Sequence, residues 1–382
     1  MTRVGLALAA VTATGVAARP MPGVKIMGIT TIPADADPSG APVGGVSGID
    51  YDPRSKTWVM ISDDKSEHAE ARFWQARIEV RAEGPPKVKL SAATPIRTAA
   101  GLLFPRPGIG QEAIDAESIR FQPDGRLLTW LSEGDARDGF GPAIRQMDRS
   151  GRFASTIPLP DSFNLDPEQR RGPRPNLSIE GLSYAPDGKA LWLSLEAPLF
   201  QDGPVASRQE GADIRLTRLV PGSSAPPVQY AYRLDPIGPV PEGRLSDNGV
   251  SEILSIDARH LLVIERSGLK GEDGAFRFRP RLYCASLGNA SDVSGIDTLA
   301  GAQVRHVTKR LIFAFDEGRS GAIDNVEGMA WGPPLANGHR SLVFVTDNDF
   351  SEHRKTQVIM LDAGELGQSP ERTTALCDTG SE

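Results

Sequence analysis

Residues 174–199 of the sequence read RPNLSIEGLSYAPDGKALWLSLEAPL and have the form of a β-hairpin. A first apolar run begins beside Glu180, a Pro-Asp-Gly turn follows, and a second apolar run ends beside Glu196. Pro-Asp-Gly favours a turn, and short apolar runs on both sides of it are typical of β-strands. Because the two strands of a hairpin are antiparallel, we expect Glu180 and Glu196 to be neighbours at one end of it.

Four relatives of this hairpin occur along the chain, each with a strand, a turn and a second apolar strand. They cover residues 46–65, 116–135, 250–268 and 326–349. The matching residues at the start of the five first strands are Ser47, Glu117, Glu180, Glu252 and Glu327. A hairpin that recurs every 63 to 75 residues indicates a fold built from repeated units.

Each interval between hairpins also holds two further strand-like runs. The last hairpin is followed by only one such run, residues 356–364, but the segment 24–33 supplies another. This arithmetic predicts an all-β protein, a β-propeller of five four-stranded blades that the N-terminal strand closes. Six blades are the alternative, if one long interval holds a degenerate blade. We expect one propeller domain over residues 24–365, a loop or single helical turn at 161–175, and a C-terminal tail at 366–382.

Composition narrows the partners and the compartment. The net charge of −7 argues against nucleic acid as a partner, because phosphate backbones require a basic face. Residues 1–18 resemble a secretory signal peptide, with one early arginine, an acid-free apolar run, and small residues at Val16-Ala17-Ala18. No other stretch approaches the length of a membrane span. We therefore expect a monomer in the periplasm or outside the cell.

The two cysteines, Cys284 and Cys377, allow two interpretations. Export would permit them to form a disulfide, because oxidising compartments preserve such bonds. Two separate buried thiols are the other interpretation. Their spacing has no metal-binding pattern.

Acidic residues mark both ends of the predicted inner hairpins. In a propeller the first strand of each such repeat lines the central channel, so the starts of first strands and the ends of second strands meet at one rim. The ends of the second strands carry Asp63, Asp64, Glu133, Glu196, Glu265 and Asp347. Asparagines precede three of the first strands, at Asn176, Asn248 and Asn325.

So many carboxylates at one rim need compensation. At an effective dielectric constant of about 20, each close pair repels by roughly 3 kcal/mol. Arg174 and Arg266 lie near these acids in sequence, and bound cations are the other source of positive charge. Oxygen ligands without a cluster of histidine or cysteine suit a hard cation, Ca²⁺ first and Mg²⁺ or Mn²⁺ next.

A structural interpretation of the same residues is simpler. A glutamate at the start of an inner strand can cap unpaired backbone N–H groups in the channel. The repeated tryptophans are interpreted as blade core: Trp58, Trp130, Trp192 and Trp331. Capping explains each acid singly, but not why both ends of the hairpins carry them, and this repetition favours a functional polyacidic site.

Five motifs in order resemble the family called esterase-like activity of phytase. They are GGVSGIDYD with WVMISDDK, DAESIRFQPDG, the 174–199 hairpin, GVSEILSID with LLVIERSG, and NVEGMAWGPPLANGHRSLVFVTDNDFS. The resemblance runs from about residue 40 to residue 365 and implies a β-propeller. By analogy with Ca²⁺-dependent propeller phytases, it also implies phosphoester hydrolysis, with metals held in an acidic channel, substrate phosphates bridged, and a water activated.

The resemblance also implies roles for particular residues. The acids in the matching motifs are Glu117, Glu180, Glu265, Glu327 and Asp347. Arg174 and Arg266 lie within the motifs and could each bind a phosphate through two parallel hydrogen bonds. The first repeat departs from the pattern, because Ser47 stands where the others carry glutamate. Only Lys65 is well placed among the lysines, whereas propeller phytases use several, and this argues against phytate itself as the substrate.

The leading hypothesis is an exported, metal-dependent phosphoesterase that acts on a small anionic ester. Glu180 and Glu327 are its predicted catalytic residues, and Arg174, Arg266 and Lys65 would bind substrate. The predicted metal ligands are Glu117, Glu180, Glu252, Glu265, Glu327, Asp347, Asn176, Asn248 and Asn325. Two alternatives remain: a metal-dependent lactonase or carboxyl-esterase on the same ring, and a non-catalytic binding propeller with a structural cation.

Overall fold

The computed structural model describes residues 21–378, except 22, 82–83, 239–245, 273, 275, 316–322 and 324. The predicted signal peptide at 1–18 lies outside these residues. Twenty-one strands occur in the described part of the chain. They are β1 (Lys25–Ile32), β2 (Val46–Asp52), β3 (Thr57–Ser62), β4 (Arg72–Glu79), β5 (Lys87–Leu90), β6 (Thr94–Pro95), β7 (Ala116–Phe121), β8 (Leu128–Ser132), β9 (Ala143–Met147), β10 (Phe153–Ile157), β11 (Ile179–Tyr184), β12 (Leu191–Leu195), β13 (Asp213–Leu219), β14 (Val228–Arg233), β15 (Ser246–Ser255), β16 (His260–Lys270), β17 (Phe276–Ser286), β18 (Thr308–Ala314), β19 (Asn325–Pro334), β20 (Arg340–Asp347) and β21 (Thr356–Asp362).

The strands form five antiparallel sheets, which are the blades of a propeller. In order from the axis outward, blade 1 is β2-β3-β4-β5, with β6 added on β4, and blade 2 is β7-β8-β9-β10. Blade 3 is β11-β12-β13-β14, and blade 4 is β15-β16-β17-β18. Blade 5 is β19-β20-β21-β1, so the N-terminal strand completes the last blade. The prediction of five blades closed in this way is confirmed.

The five innermost strands close a ring around the channel. β2 packs against β7, β7 against β11, β11 against β15, β15 against β19, and β19 again against β2. A Cβ on Gly48 would approach the Cα of Ser118 to 2.9 Å, and one on Gly181 would approach the Ile253 nitrogen to 2.8 Å. Glycine is therefore required where neighbouring inner strands pass this close together.

The core lies between adjacent blades, where both faces of each sheet are covered. Trp58, Trp130 and Trp192 are almost fully buried, as expected of blade core. Trp331 is only partly buried and lies at one mouth of the channel, where the indole N–H donates to the Ser255 carbonyl at 3.1 Å. The interpretation as blade core therefore does not describe Trp331 completely.

Helical structure is sparse in the described residues. Single 3₁₀ turns occur at Asp161–Phe163 and Phe200–Asp202, the first within the predicted loop at 161–175. One α-helix, α1 (Pro370–Cys377), lies in the predicted C-terminal tail, and the side chain of Ser369 caps its first turn. No helix among the described residues combines the length and apolar character needed to cross a membrane.

A disulfide joins α1 to blade 4. Cys284 in β17 and Cys377 at the end of α1 are bonded, with their Cα atoms 5.6 Å apart. Of the two interpretations that the sequence allowed, the structure has the paired cysteines. The bond closes a long loop, because its ends are 93 positions apart in the sequence.

Candidate active site

Each inner strand carries a β-bulge at the same place, near the start of the strand. The register shifts at Val46/Gly48, Ala116/Ser118, Ile179/Gly181, Val250/Glu252 and Val326/Gly328. The residues between these pairs form what we call the bulge ring: Ser47, Glu117, Glu180, Ser251 and Glu327. A bulge leaves one residue outside the ladder and redirects its side chain, so every blade presents one side chain at an equivalent position.

The register corrects the predicted position in blade 4. Its bulge residue is Ser251, and Glu252 comes one residue later, where the other blades carry Gly48, Ser118, Gly181 and Gly328. The Glu252 carboxylate lies 2.6 Å from the Arg120 guanidinium and also accepts from the Ser118 hydroxyl at 2.9 Å. Glu252 is thus buried inside the channel, where it neutralises Arg120, and the structure does not bring it to the rim.

A second ring follows the second strands of the blades. We call it the exit ring, and its members are Asp63, Glu133, Glu196, Arg266 and Asp347. On the innermost strand of each blade, the residue just before the bulge residue pairs with a residue of the second strand. The exit-ring member is the next residue along that second strand. The exit ring therefore lies beside the bulge ring, which explains why Glu180 and Glu196 are close: one oxygen of each lies within a cluster no wider than 4.8 Å.

Glu265 and Asn248 lie outside this rim. Glu265 immediately precedes Arg266, and alternation along the strand turns its side chain to the opposite face. Its carboxylate accepts from the Tyr232 hydroxyl at 2.7 Å, from the Asn248 amide at 3.2 Å, and from Lys309. The side chains of Glu265 and Asn248, two predicted ligands, are thus held by contacts within blade 4 and with Tyr232 of blade 3.

Arg174 also lies away from the rim. Its guanidinium donates to the carbonyl oxygens of Pro198, at 2.9 Å, and Gly203, at 2.7 Å, and lies 4.4 Å from the centre of the Phe200 ring. Asn176, two residues later, has a positive φ of 56° and reverses the chain, so that Asn176 reaches the rim while Arg174 does not. Arg174 therefore stabilises the loop after the 174–199 hairpin and does not line the acidic mouth.

The two rings enclose a cavity of about 400 Å³, which we call the acidic mouth. Its lining is Asp63, Lys65, Asp115, Glu117, Glu133, Asn176, Leu177, Glu180, Glu196, Asp247, Arg266, Phe276, Phe278, Asn325, Glu327, Asp349 and Arg354. Among the residues that the structure describes, nine carboxyl groups thus face three cationic groups. Asp347 is fully buried next to this lining, with its carboxylate 3.5 Å from the Asn325 amide.

Burial and mutual repulsion raise the pKa values of several of these acids. Burial, followed by repulsion from neighbouring carboxylates, raises the pKa values of Glu117, Glu133 and Glu180 well above their ordinary range. Burial raises the pKa of Glu196 to about 7, although Arg266 opposes the shift. Near neutral pH the acidic mouth therefore retains protons that an exposed set of carboxylates would have released.

Arg266 is the central cation of the acidic mouth. It occupies the exit-ring position at which the other four blades carry acids. Its guanidinium donates to Glu196 at 2.9 Å, to Asn325 at 2.8 Å and to Glu327. Burial alone would lower the pKa of Arg266, but the attraction of the Glu327 and Glu196 carboxylates outweighs this effect. The pKa of Arg266 therefore lies above its ordinary value, and the group stays charged. Its Nε is buried without a hydrogen-bond partner among the described residues.

Lys65 supplies positive charge on the opposite side of the cavity. Its ammonium group lies 2.5 Å from the Asp115 carboxylate and 3.2 Å from the Asn176 side-chain oxygen. Burial would lower the pKa of Lys65, but the attraction of Asp115 outweighs it and the pKa lies above its ordinary value. Lys65 and Arg266 are thus two fixed cations at the acidic mouth.

Groups of carboxylate oxygens within 4.8 Å of one another offer places for a metal ion. The groups are Asp63 with Glu117 and Glu327; Asp63 with Asp347 and Asp349; Asp115 with Glu117 and Glu133; and Glu133 with Glu180 and Glu196. Their donors are all oxygen atoms, and the excess of carboxylates leaves negative charge to neutralise. This donor set fits a hard divalent cation, whereas the identity and number of ions stay predictions.

Several residues of the acidic mouth were not among the predicted site residues. Asp115 directly precedes β7 and lies two residues before Glu117, and this spacing of two was the signal that could have identified it. Phe276 and Phe278 reach the cavity because β16 and β17, at 11 residues each, extend beyond the other blades. Asp247, Asp349 and Arg354 come from loops and strand ends, for which the repeat gave no signal.

The solved structures that resemble this chain do so only distantly. One is the catalytic domain of a GH62 α-L-arabinofuranosidase from Coprinopsis cinerea, with 9% identity over 84% of this chain and 92% of that chain, at a TM-score of 0.36. Another is the α-L-arabinofuranosidase from Podospora anserina in complex with cellotriose, with 9% identity over 83% and 91%, at a TM-score of 0.35. At such TM-scores these likenesses carry no conclusion about the site.

Sequence comparison gives a clearer result. No curated protein matches the chain. The family model described as esterase-like activity of phytase, within the phytase-like group, matches residues 41–350. That range takes in all five inner hairpins and both rings of the acidic mouth. The chain therefore belongs to the phytase-like family known as esterase-like activity of phytase.

Proposed function

We propose that this protein is a metal-dependent hydrolase that cleaves phosphoric esters of small anionic substrates at the acidic mouth. The observation that carries the proposal is the convergence of nine carboxyl groups from all five blades on one cavity of about 400 Å³. Membership of the phytase-like family supports hydrolysis of an ester as the reaction class. The cavity fits a small substrate.

The carboxylate groups named above would hold the cations, with Glu117 and Glu327 on one side and Glu133 with Glu196 on the other. Ca²⁺ is the first expectation and Mg²⁺ or Mn²⁺ the next, because every donor is an oxygen. When bound, such an ion would neutralise phosphate charge and lower the pKa of a coordinated water. Asn176 and Asn325 would add neutral oxygen donors beside the carboxylates.

Glu180 is the proposed acid–base residue. It is buried, has neighbouring acids in Glu133 and Glu196, and no described cation forms an ion pair with it. Its carboxyl oxygen therefore holds a proton more readily than an exposed glutamate does, which suits proton transfer near neutral pH. Glu327 is bonded to Arg266, and this contact fixes its orientation toward the cavity.

Lys65 and Arg266 would receive the phosphate group of the substrate. They stand on two sides of the acidic mouth, and Arg266 has a buried Nε whose hydrogen-bond capacity the described residues do not use. A guanidinium and an ammonium group both suit phosphate oxygens. Because Lys65 is the one lysine that lines the cavity among the described residues, we propose a singly or sparsely phosphorylated substrate in preference to phytate.

We propose that the mature protein is exported. The disulfide between Cys284 and Cys377 supports this, because such bonds persist in oxidising compartments. N-terminal sequencing of the protein from a periplasmic or culture fraction tests it. A mature N-terminus near residue 19 is expected, and an intact Met1 on cytoplasmic material would contradict export.

The function is tested by hydrolysis assays with and without a chelator, on p-nitrophenyl phosphate, phytate, a lactone and a carboxylic ester. We expect phosphomonoester hydrolysis that a chelator abolishes and Ca²⁺ restores. Glu180→Gln should lower the rate by about 10² to 10⁴, the usual contribution of a general acid–base group. The matched control is Glu79→Gln, because the Glu79 side chain is 64% exposed on an outer strand.

The other outcomes separate the alternatives. Activity on the lactone or carboxylic ester alone would identify the lactonase or esterase on the same ring. No activity on any substrate, with Ca²⁺ still raising the melting temperature, would leave a non-catalytic propeller with a structural cation. Hydrolysis that survives full metal removal would contradict the proposed mechanism.

A further inference from the structure

The opposite mouth of the channel has a different composition. Four residues beyond each bulge, the inner strands reach this second mouth, and the equivalent residues there are Tyr51, Phe121, Tyr184, Ser255 and Trp331. Four of the five blades thus present an aromatic side chain at one position, although only 6% of the residues in the chain are aromatic. We call this region the aromatic mouth.

The aromatic mouth encloses a cavity of about 850 Å³, within the usual range for small-molecule sites. Tyr51, Phe121, Tyr184 and Trp331 contribute to its walls. Asp50, Arg120, Ser183 and Ser255 add polar groups. A cavity with aromatic walls and a few polar groups is the arrangement that binds ring-containing ligands.

The polar groups on the channel side of this cavity satisfy one another. Arg120 donates to the Leu182 carbonyl at 2.6 Å and to the Ile49 carbonyl at 2.5 Å, and pairs with Glu252. The Asp50 carboxylate accepts from the Phe121 N–H at 2.7 Å. These contacts leave no net charge on Arg120 and Glu252 for a ligand to neutralise. The same buried pair lies in the channel between the aromatic mouth and the acidic mouth.

Arg340 is different, because its positive charge is not neutralised. Its guanidinium lies 3.6 Å from the centre of the Trp331 ring, at the edge of the cavity. Among the residues that the structure describes, none forms an ion pair with Arg340 or accepts a hydrogen bond from its side chain. Burial lowers the pKa of Arg340 to about 10, so the group remains cationic at neutral pH. Lys56, also on the lining, adds a second positive charge.

We propose that the aromatic mouth binds a small molecule that combines a flat ring with an anionic group, either a carboxylate or a phosphate. The ring would lie among Tyr51, Tyr184 and Trp331, and the anion would bind the guanidinium of Arg340. A guanidinium stacked on an indole presents its N–H edge to a carboxylate or phosphate in a fixed orientation. This site is separate from the acidic mouth and does not depend on the function proposed there.

Calorimetric titration of the full-length protein with benzoate, and separately with phenylphosphonate, tests the proposal. The two probes share a phenyl ring and differ in the anion, so they distinguish a site for a carboxylate from a site for a phosphate-like group. We expect at least one to bind, and Arg340→Gln to weaken its binding by about tenfold or more, the usual worth of a charge-assisted hydrogen bond. The control is Arg126→Gln, because the Arg126 side chain is 85% exposed on a turn.

A second variant keeps the test decisive if Arg340→Gln fails to fold. Tyr51→Leu keeps apolar bulk but removes one ring face, and it should also weaken binding of the same probe. Failure of both probes to bind the wild-type protein at millimolar concentration overturns the proposal. Binding that Arg340→Gln and Tyr51→Leu leave unchanged, but that Glu180→Gln alters, would place the probe at the acidic mouth and also overturn it.

Discussion

The two mouths of the channel are built by the same five strands, four residues apart, yet their chemistry is opposite. At the bulge ring, three blades present glutamate, whereas four residues later four blades present an aromatic side chain. Blade 4 departs from this pattern at both ends, with Ser251 and Ser255, and blade 1 departs from it at the bulge ring, with Ser47. The comparison shows that the repeat fixes where side chains converge, and that residue type alone decides what each mouth can bind.

The two mouths also differ in how their charges are balanced. At the acidic mouth nine described carboxyl groups face the described cations Lys65, Arg266 and Arg354, so negative charge is in excess among these residues. At the aromatic mouth, Asp50 is the one carboxyl group on the lining among the described residues, against Lys56 and Arg340, since Arg120 pairs with Glu252. Electrostatic strain in the metal-free protein should therefore be concentrated at the acidic mouth.

The largest expected effect on stability is that of Arg266→Gln. This change leaves the buried Glu196 and Glu327 without their shared cation, and breaking such a buried pair typically costs about 3–5 kcal/mol. Urea denaturation at neutral pH in chelator would measure the loss. Added Ca²⁺ should restore part of it, because a bound cation replaces the missing charge. An unchanged free energy of unfolding would show that Arg266 does not balance this mouth.

The second prediction concerns pH in the absence of divalent cations. The pKa of Glu196 is about 7 in the folded protein, above its ordinary value of 4.5. Between these two pH values the folded protein therefore holds a proton on Glu196 that the unfolded protein has released. Stability should therefore fall as the pH rises from about 4.5 to about 7, by about 3 kcal/mol from this residue alone. Denaturation at a series of pH values measures the slope, and Glu196→Gln should flatten it. Stability that rises over this window would contradict the assignment.

The fold could be predicted because the inner hairpins recur in sequence, and the segment 24–33 supplied the one strand that the last blade lacked. The register of blade 4 could not be obtained by matching glutamates. Matching Val250-Ser251-Glu252 with Val46-Ser47-Gly48 would have given it, but the position of a bulge depends on the hydrogen bonds of the partner strand. The prediction for Glu252 was therefore one residue out of register.

Predicted site residues reach the cavity where the repeat determines the direction of a side chain, and Lys65 and Asn176 also reach it from loops. Glu117, Glu180 and Glu327 reach the cavity because bulge positions are equivalent around the ring. Arg174 does not, because a left-handed residue at Asn176 reverses the loop between them. Phe276 reaches the cavity through the extra length of β16 and β17, and strand length beyond the repeat is not encoded in the periodicity.

Removal of the disulfide is expected to lower stability while leaving both mouths intact. Replacing Cys284 and Cys377 by serine should cost about 2–4 kcal/mol, since the bond closes a loop whose ends are 93 positions apart in the sequence. Thermal or urea denaturation measures this cost. The bond lies at the outer side of blade 4, so Ca²⁺ binding of the folded variant should match the wild type. A loss of Ca²⁺ binding in the folded variant would show that blade 4 couples to the acidic mouth.

The smallest expected effect is that of Arg340→Gln on stability. This change removes a cation over an aromatic ring but leaves no described carboxylate without its partner. It should therefore lower the free energy of unfolding by no more than about 1 kcal/mol. The measurement is the same urea denaturation used for Arg266→Gln. Equal losses for the two variants would remove the contrast in charge balance between the mouths.

The central claim is that the acidic mouth requires divalent cations, and calorimetric titration of Ca²⁺ into metal-free protein tests it most directly. The titration compares the wild type with the double variant Glu133→Gln, Glu196→Gln. The control is Asp187→Asn, which makes the same carboxyl-to-amide change in the turn of the 174–199 hairpin. We predict that the wild type and the control bind Ca²⁺ and that the double variant binds at least about tenfold more weakly, the effect of about 1.4 kcal/mol. Absence of binding to the wild type, or equal binding to all three proteins, would contradict the account.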